Sequence, residues 1–382
     1  MKKLYEKRFL FLTAIILCIM LFSCSQDSIF YDISFEPSPK TPVIPGGPSN
    51  IIVANNYVYA GSRMGNSIFA YGRTSDGIGW NEISLQGASL GDLATDGQSL
   101  YALVFPGGNP LRESEVRRFN SSSSRWESGA SIQGYAIQSI FGAGNNIFVG
   151  IRSNPNSQNF SIALYNPSSN SFSIIHTGTS LLTGAAAGAS GTYLATAGDG
   201  IFAYTGGGVT GPLIGTAGVS FSGIAEVGGS IVAVTGTGGI FHDSPGIFTS
   251  ASFGVNFTGA LSVWQDPNNS YRPTLLLMGI RARGSSINQV YREMVLNNGF
   301  PTFNIRVPGD SSPSSVASRS RYAAAVGRHP VESILQIPDI SNGGPIDYRS
   351  YSGDPDWAPP IFASTSRQGL WSYRNGEWNT EE

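Results

Sequence analysis

The sequence predicts an all-β protein built as a ring of short four-stranded sheets, and three observations predict it. Gly occurs 48 times in 382 residues while only 13% of residues are charged. That is too Gly-rich for long helices, whose interiors Gly disfavours. Hydrophobic residues at 41%, with 11% aromatics, supply a real core, so wholesale disorder is excluded. Finally, an apolar strand, a Gly or polar turn and a second apolar strand recur along the chain at a nearly fixed interval.

The interval is read from one marker per unit: Tyr57, Leu100, Ile147, Tyr193, Ile231, Leu275, Tyr322 and Ile361, spaced by 43, 47, 46, 38, 44, 47 and 39 residues. Helical repeats of this length would carry a 3.6-residue apolar period, and none is seen. Four short strands per unit of about 40–50 residues fit instead. Unit two reads "GDLATDG", "SLYALVF", "SEVRRFN", "RWESG". Stretches such as "IVAVT" are continuously apolar, as expected of strands covered on both faces.

On this periodicity residues 51–382 resemble a β-propeller of four-stranded blades. Eight blades are favoured, with seven as the alternative, and a monomeric ring is expected. The Trp-Asp and Gly-His marks of WD40 repeats and the Gly-Gly signature of kelch repeats are missing. "TSDGIGW" (74–80) weakly resembles the Asp-box turn of sialidase-like propellers through Thr74, Asp76, Gly77 and Trp80. In a ring the last unit packs on the first, so the aromatic-rich end "IFASTSRQGLWSYRNGEW" (361–378) belongs to a blade. "EWNTEE" is expected as its last strand, with "IFYDISF" (29–35) as a possible closing partner. The eighth unit has a poor inner strand in Pro-rich "DPDWAPP" (354–360).

The N-terminus reads as an export signal over residues 1–23, forming a signal helix. Lys2, Lys3, Lys7 and Arg8 precede an apolar run of 14 residues, 9–22. This run is short for a bilayer span, which needs about 20. "LFSC" (21–24) resembles a bacterial lipobox of the loose spirochaete kind, which implies that Cys24 carries lipid. Cys18 and Cys24 are the only cysteines, so the mature domain has no disulfide framework. Residues 24–50 hold Pro37, Pro39, Pro42, Pro45 and Pro48 and read as an extended tether. The implied address is a bacterial cell envelope, periplasmic or surface-exposed, with the membrane reached through the lipid.

A net charge of −2 and a pI near 6.0 argue against nucleic acid as the main partner, because phosphate binding needs a basic surface. His176, His242 and His329 fall in separate units without a second ligand at metal spacing, so no metal and no cofactor is expected. The Gly-rich stretches 203–211 and 235–244 precede no helix, and no lysine follows Lys40; they read as turns rather than phosphate cradles. Asp199 and Asp243 lie in turns. Glu226, on a candidate inner strand, is the acid to inspect near a central channel, although turn capping explains it more simply. No catalytic constellation is visible. Trp80, Trp126 and Trp378 share one place at the end of their units and read as packing residues, whereas Trp264, Trp357 and Trp371 break that pattern and are candidates for an exposed platform.

The most asymmetric feature is charge. Residues 153–271 contain no Lys or Arg. Then Arg272, Arg281, Arg283, Arg292, Arg306, Arg319, Arg321 and Arg328 arrive together, opposed within that stretch only by Glu293 and Asp310. Arg281 with Arg283, and Arg319 with Arg321, would share a strand face if extended. These four are the candidate partner-binding residues, for an acidic protein or an anionic envelope polymer. The alternative is neutralisation by the acids of 332–356. The sequence therefore suggests a lipid-anchored binding scaffold, with a propeller-fold glycan-active hydrolase or lyase and a purely structural envelope component as alternatives.

Overall fold

A computed structural model describes residue 44 and residues 48–381, apart from 56, 63–66, 75–76, 86, 109–112, 154–156, 245, 253–254, 265–273, 282–290, 298–299, 307–329, 337–360, 366–368 and 375–376. The chain divides into two compact units, Met1–Thr41 and Pro42–Glu382. The first, with the expected signal, Cys24 and "IFYDISF", lies outside the described residues. Among the described residues no helix is long and apolar enough to cross a membrane.

The second unit contains seven four-stranded sheets, each formed by four strands consecutive in sequence and antiparallel to their neighbours. We number them 1 to 7 along the chain, spanning 48–84, 89–126, 136–178, 182–210, 221–252, 256–306 and 331–380. Their innermost strands are Pro48–Ala54, Ser89–Thr95, Ala136–Ala143, Leu182–Gly188, Phe221–Val227, Asn256–Trp264 and Val331–Gln336. The second strands run continuously buried, as in Leu100–Phe105 and Ile361–Thr365. Each such strand is covered on both faces by neighbouring sheets, which is why its sequence does not alternate. The outermost strands are wetter: Ser171–Gly178 alternates between exposed and half-buried positions, with Ile174 45% exposed.

The cores lie between the sheets. Tyr101, Leu103 and Val116 of sheet 2 meet Ile137, Ile147 and Val149 of sheet 3. Equivalent apolar clusters join sheets 1 and 2, 3 and 4, 4 and 5, and 5 and 6. The ring closes in the same way, with Ile51, Val58 and Tyr71 of sheet 1 packed on Phe362 and Leu370 of sheet 7. Phe362 lies edge-on to both Tyr71 and Trp80, at 5.2 and 5.4 Å between ring centroids. The Ser364 hydroxyl donates to the Pro48 carbonyl at 2.6 Å, and Trp80 Nε1 donates to Glu381 Oε2 at 3.1 Å. The C-terminus is well built because it forms this seam. Glu377–Thr380 is the last strand of sheet 7, as expected. All four described strands of that sheet come from residues 331–380, and across the seam they pack on the face of sheet 1.

The expected count of eight is corrected by this topology. Seven of the eight markers occupy one structural place, the second strand of each sheet. Tyr322 lies outside the described residues and marks no described sheet. Leu275 and Ile361 are 86 residues apart (361 − 275), and spacing alone divides that gap into two ordinary units. Sheet 7 instead takes its innermost strand from "VESILQ" (331–336), with the 24 residues 337–360 separating it from its second strand. "DPDWAPP" falls in that interval, outside the described residues.

Candidate functional site

The innermost strands surround a central channel of about 610 Å³, lined from all seven sheets. Close approach shapes its wall. A Cβ added at Gly142 would stand 1.7 Å from the Thr95 carbonyl oxygen, and one at Gly259 would stand 2.0 Å from that of Ser222. Gly259 also holds φ at +96°, a backbone region that favours glycine. Sheets converge towards the axis, so neighbouring inner strands touch backbone to backbone where a side chain would separate them.

Every innermost strand shifts register against its second strand near its start. The shifts lie between Pro48 and Ile51, Leu90 and Asp92, Leu182 and Gly184, Phe221 and Gly223, Phe257 and Leu261, and Val331 and Ser333, and opposite Gly150 and Ile151 in sheet 3. Such bulges leave a residue out of the ladder and re-aim its side chain. The extra residues include Asn50, Gln138, Thr183, Ser222, Thr258 and Glu332, all polar. The irregularity occurs in all seven sheets, and in every one but sheet 2, whose extra residue is Gly91, it adds a polar residue to a collar around one end of the inner ring.

Polar side chains of the inner strands also stitch neighbouring sheets. Asn50 Nδ2 donates to the Leu93 carbonyl at 3.0 Å, and Ser139 Oγ to that of Leu182 at 2.8 Å. The Ile51 N–H donates to Ser333 Oγ at 3.0 Å. Between sheets 6 and 7, Thr258 Oγ1 donates to the Val331 carbonyl at 2.6 Å. There the Gln336 N–H donates to Ser262 Oγ at 2.7 Å and its amide to the Ser262 carbonyl at 3.1 Å.

Of the expected partner-binding arginines, only Arg281 is described. It is exposed at the last position of its strand and opposite Asn256, the first residue of the innermost strand. It therefore lies at the end of the ring where the innermost strands begin and the bulges sit. Arg283, Arg319 and Arg321 lie outside the described residues, as does Cys24, so the structure does not bring the four arginines together. Glu226 accepts the Gly229 N–H across its own turn and is not among the channel-lining residues.

Asp199 ties the connection between sheets 3 and 4 to a turn of sheet 4. Its Oδ2 accepts the N–H groups of Thr179 and Ser180 at 2.7 and 2.9 Å, and its Oδ1 accepts both hydroxyls. Burial raises its pKa, but these donors outweigh it and hold the carboxyl below its usual range. His176, against the Phe202 ring at 4.3 Å, has its pKa lowered by burial despite the opposing charge of Asp199. His242 is likewise lowered by burial, and its Nε2 is 2.8 Å from Thr249 Oγ1. His329 is outside the described residues, and among those described no three His, Cys, Asp or Glu side chains are grouped to hold a metal. Asp243 accepts the Gly246 N–H at 2.8 Å, a turn bond.

Trp80, Trp126 and Trp378 occupy outermost strands of sheets 1, 2 and 7 and pack as expected. Trp126 is 5.1 Å from Phe119 between ring centroids, and Trp378 is buried. Of the platform candidates, Trp371 is half-buried on a third strand, Trp264 ends an innermost strand, and Trp357 lies outside the described residues. The bulge collar is what sequence reading missed. Its only signal is a short polar interruption before each buried strand, which is also what an ordinary turn looks like.

No family model and no curated protein matches this chain. Among solved structures, it is similar to a chain of the mitotic checkpoint complex at 11% identity, with a TM-score of 0.52, 89% of this chain covered and 99% of that one. It is also similar to a chain in the structure of BBS1N in complex with ARL6DN, soaked with mercury, at 10% identity, with a TM-score of 0.55, 88% of this chain covered and 95% of that one. At such identities the likeness concerns the propeller fold alone.

Proposed function

We propose that this chain is a lipid-anchored protein of a bacterial cell envelope whose propeller is a binding scaffold for a protein partner. The partner docks on the end of the ring where the innermost strands begin. The observation that carries this reading is the placement of Arg281. It is exposed on that end, and it belongs to the run of eight arginines in 272–328 that is opposed within that stretch only by Glu293 and Asp310. Arginine suits this task because its planar fork pairs bidentately with carboxylates, so an acidic partner surface is the expected match. The two similar structures, one of the mitotic checkpoint complex and one of BBS1N in complex with ARL6DN, support a scaffold role. The N-terminal signal and Cys24 support the anchor.

The test compares capture from detergent-solubilised envelopes by the wild-type chain and by an Arg281→Glu, Arg283→Glu chain. The expected result is loss of a specific acidic partner with an unchanged melting temperature. Equal capture by both chains would remove this reading. Separately, Cys24→Ala should abolish incorporation of a labelled fatty acid and leave an unprocessed precursor.

A further inference from the structure

We propose that the outermost strand of sheet 3, Ser171–Gly178, pairs edge to edge with the same strand of a second copy of this chain. The inference concerns the rim of the ring and stands independently of the Arg281 reading, which concerns one of its ends.

The last strand of a sheet leaves a row of N–H and C=O groups without a ladder partner, and proteins usually shorten, charge, interrupt or cover such an edge. Six of the seven sheets do so. Sheets 2 and 4 end in strands of two residues, Arg125–Trp126 and Val209–Thr210. Gly77–Ser84 of sheet 1 carries exposed Glu82. Phe300–Arg306 of sheet 6 contains Pro301 and ends in arginine. Glu377–Thr380 of sheet 7 is short and starts with a glutamate. Ile247–Ser252 of sheet 5 is uncharged, but the connection before that sheet covers it: the Phe248 N–H donates to the Ile214 carbonyl at 3.0 Å.

Sheet 3 is the exception. Its outermost strand, "SFSIIHTG", has eight residues, no charge and no proline. A single bulge at Ile175, between the pairs Ala163–Ile174 and Ile162–His176, leaves Ser171–Ile174 as a regular run. Among the described residues, no backbone hydrogen bond from outside the sheet reaches this strand. Ile174, half-exposed in its middle, belongs to neither of the apolar clusters that sheet 3 shares with its neighbours.

Charge decides the occupant. Between Arg152 and Asp199 the chain runs for 46 residues (198 − 152) without an Asp, Glu, Lys or Arg. In a chain that is 13% charged overall, that blank matches the loss of charged residues at the centre of protein interfaces. A charged partner finds nothing here to pair with, whereas two copies of one neutral edge meet without repulsion along it. Antiparallel pairing about a two-fold axis is self-complementary, since each strand offers the other the same alternation of donors and acceptors. It also covers Ile174 with the copy's side chains. Acids stand only beyond the strand's ends. Glu127 adjoins Ser128, whose carbonyl accepts from Asn170 at 3.4 Å, and Asp199 holds Thr179. An antiparallel copy brings these opposite ends together, and salt screens that repulsion. Pairing therefore tightens as salt rises, the reverse of capture through Arg281.

The experiment is sedimentation of the full chain in density-matched detergent, over a concentration series at low and high salt. The wild-type chain should sediment as two copies, more completely at high salt. Ile174→Lys should sediment as one copy with an unchanged melting temperature. A second variant reads contact directly and adds no charge to the edge. Ser173→Cys, in a chain whose Cys18 and Cys24 are replaced by Ser, should be joined to its copy by a short bismaleimide. A wild-type chain that stays single throughout the series, a pair that survives Ile174→Lys, or a Ser173→Cys chain that yields no joined pair would overturn the proposal. A single chain that loses an envelope protein on Ile174→Lys would also overturn it, and would give the edge to a strand of that protein. The scaffold reading survives all of these failures, because its test rests on Arg281.

Discussion

At the junction between sheets 2 and 3, a dozen buried residues meet in one apolar cluster, and Tyr101 packs edge-on against Tyr165 with ring centroids 5.9 Å apart. At the junction between sheets 6 and 7, the described contacts near the axis are hydrogen bonds, from Thr258 to Val331 and between Ser262 and Gln336. The first junction holds by area and shape, which degrade gradually. The second also has buried apolar residues, among them Leu277, Val331, Ile334 and Ile361, and near the axis it adds matched donors and acceptors in buried surroundings, where a lost partner leaves the other group unsatisfied.

The comparison breaks most sharply where backbones touch. Gly142→Ala drives a methyl group onto the Thr95 carbonyl, and neither backbone can yield without opening the junction between sheets 2 and 3. We expect a loss of about 4 kcal/mol or more, or failure to fold. Chemical denaturation checks this, and a midpoint near wild type would show that the inner strands are looser than described. Next comes Ile147→Ala, which removes buried area from the apolar cluster and should cost about 2–5 kcal/mol, while Ile147→Val costs about 1 kcal/mol. That graded pair is the signature of an area-held junction.

The polar seam should respond without grading. Ser262→Ala strips the acceptor from the buried Gln336 N–H and should cost about 1–3 kcal/mol. Ser262→Thr keeps the hydroxyl and should restore most of it. If alanine and threonine behave alike, the seam is not held by that bond. The smallest effect concerns Asp199, a half-exposed corner residue outside both junctions. Its carboxyl is held below the ordinary 3.8 in the folded chain. It therefore contributes stability above that unfolded value, and the contribution is lost as pH falls through the lower folded one. The stability gap between wild type and Asp199→Asn, measured by denaturation across acidic pH, should be widest near neutrality and close on acidification. A gap that widens instead would reverse the sign.

The sheets were legible because burial on both faces writes itself directly into sequence. "LYALVF" and "IFAST" can be little else than doubly covered strands, and they mark their sheets faithfully. The count failed for a physical reason. Connection length is weakly constrained by the cost of loop closure, which rises only slowly with length, so sheet 7 can hold 24 residues between its first two strands. Periodicity sees only distance along the chain. The collar was illegible for another reason: a bulge is a relation between two strands. Thr183 and Ser222 look like turn residues until the Ala195 and Val234 carbonyls stand opposite them. Glu226 shows the converse, since turn capping was the simpler expectation and its bond from the Gly229 N–H matches it.

Sheet 7, whose described strands come from residues 331–380, closes the ring against sheet 1. Asn50 and Ser333 face each other across that seam, 3.2 Å apart at their polar atoms. The direct measurement places cysteines at both positions in a chain whose Cys18 and Cys24 are replaced by Ser, and treats the folded protein with a short bismaleimide. A single intramolecular cross-link should form in near-quantitative yield before denaturation and be lost when the chain is denatured first. Two separately capped cysteines in a chain that is demonstrably folded would contradict it.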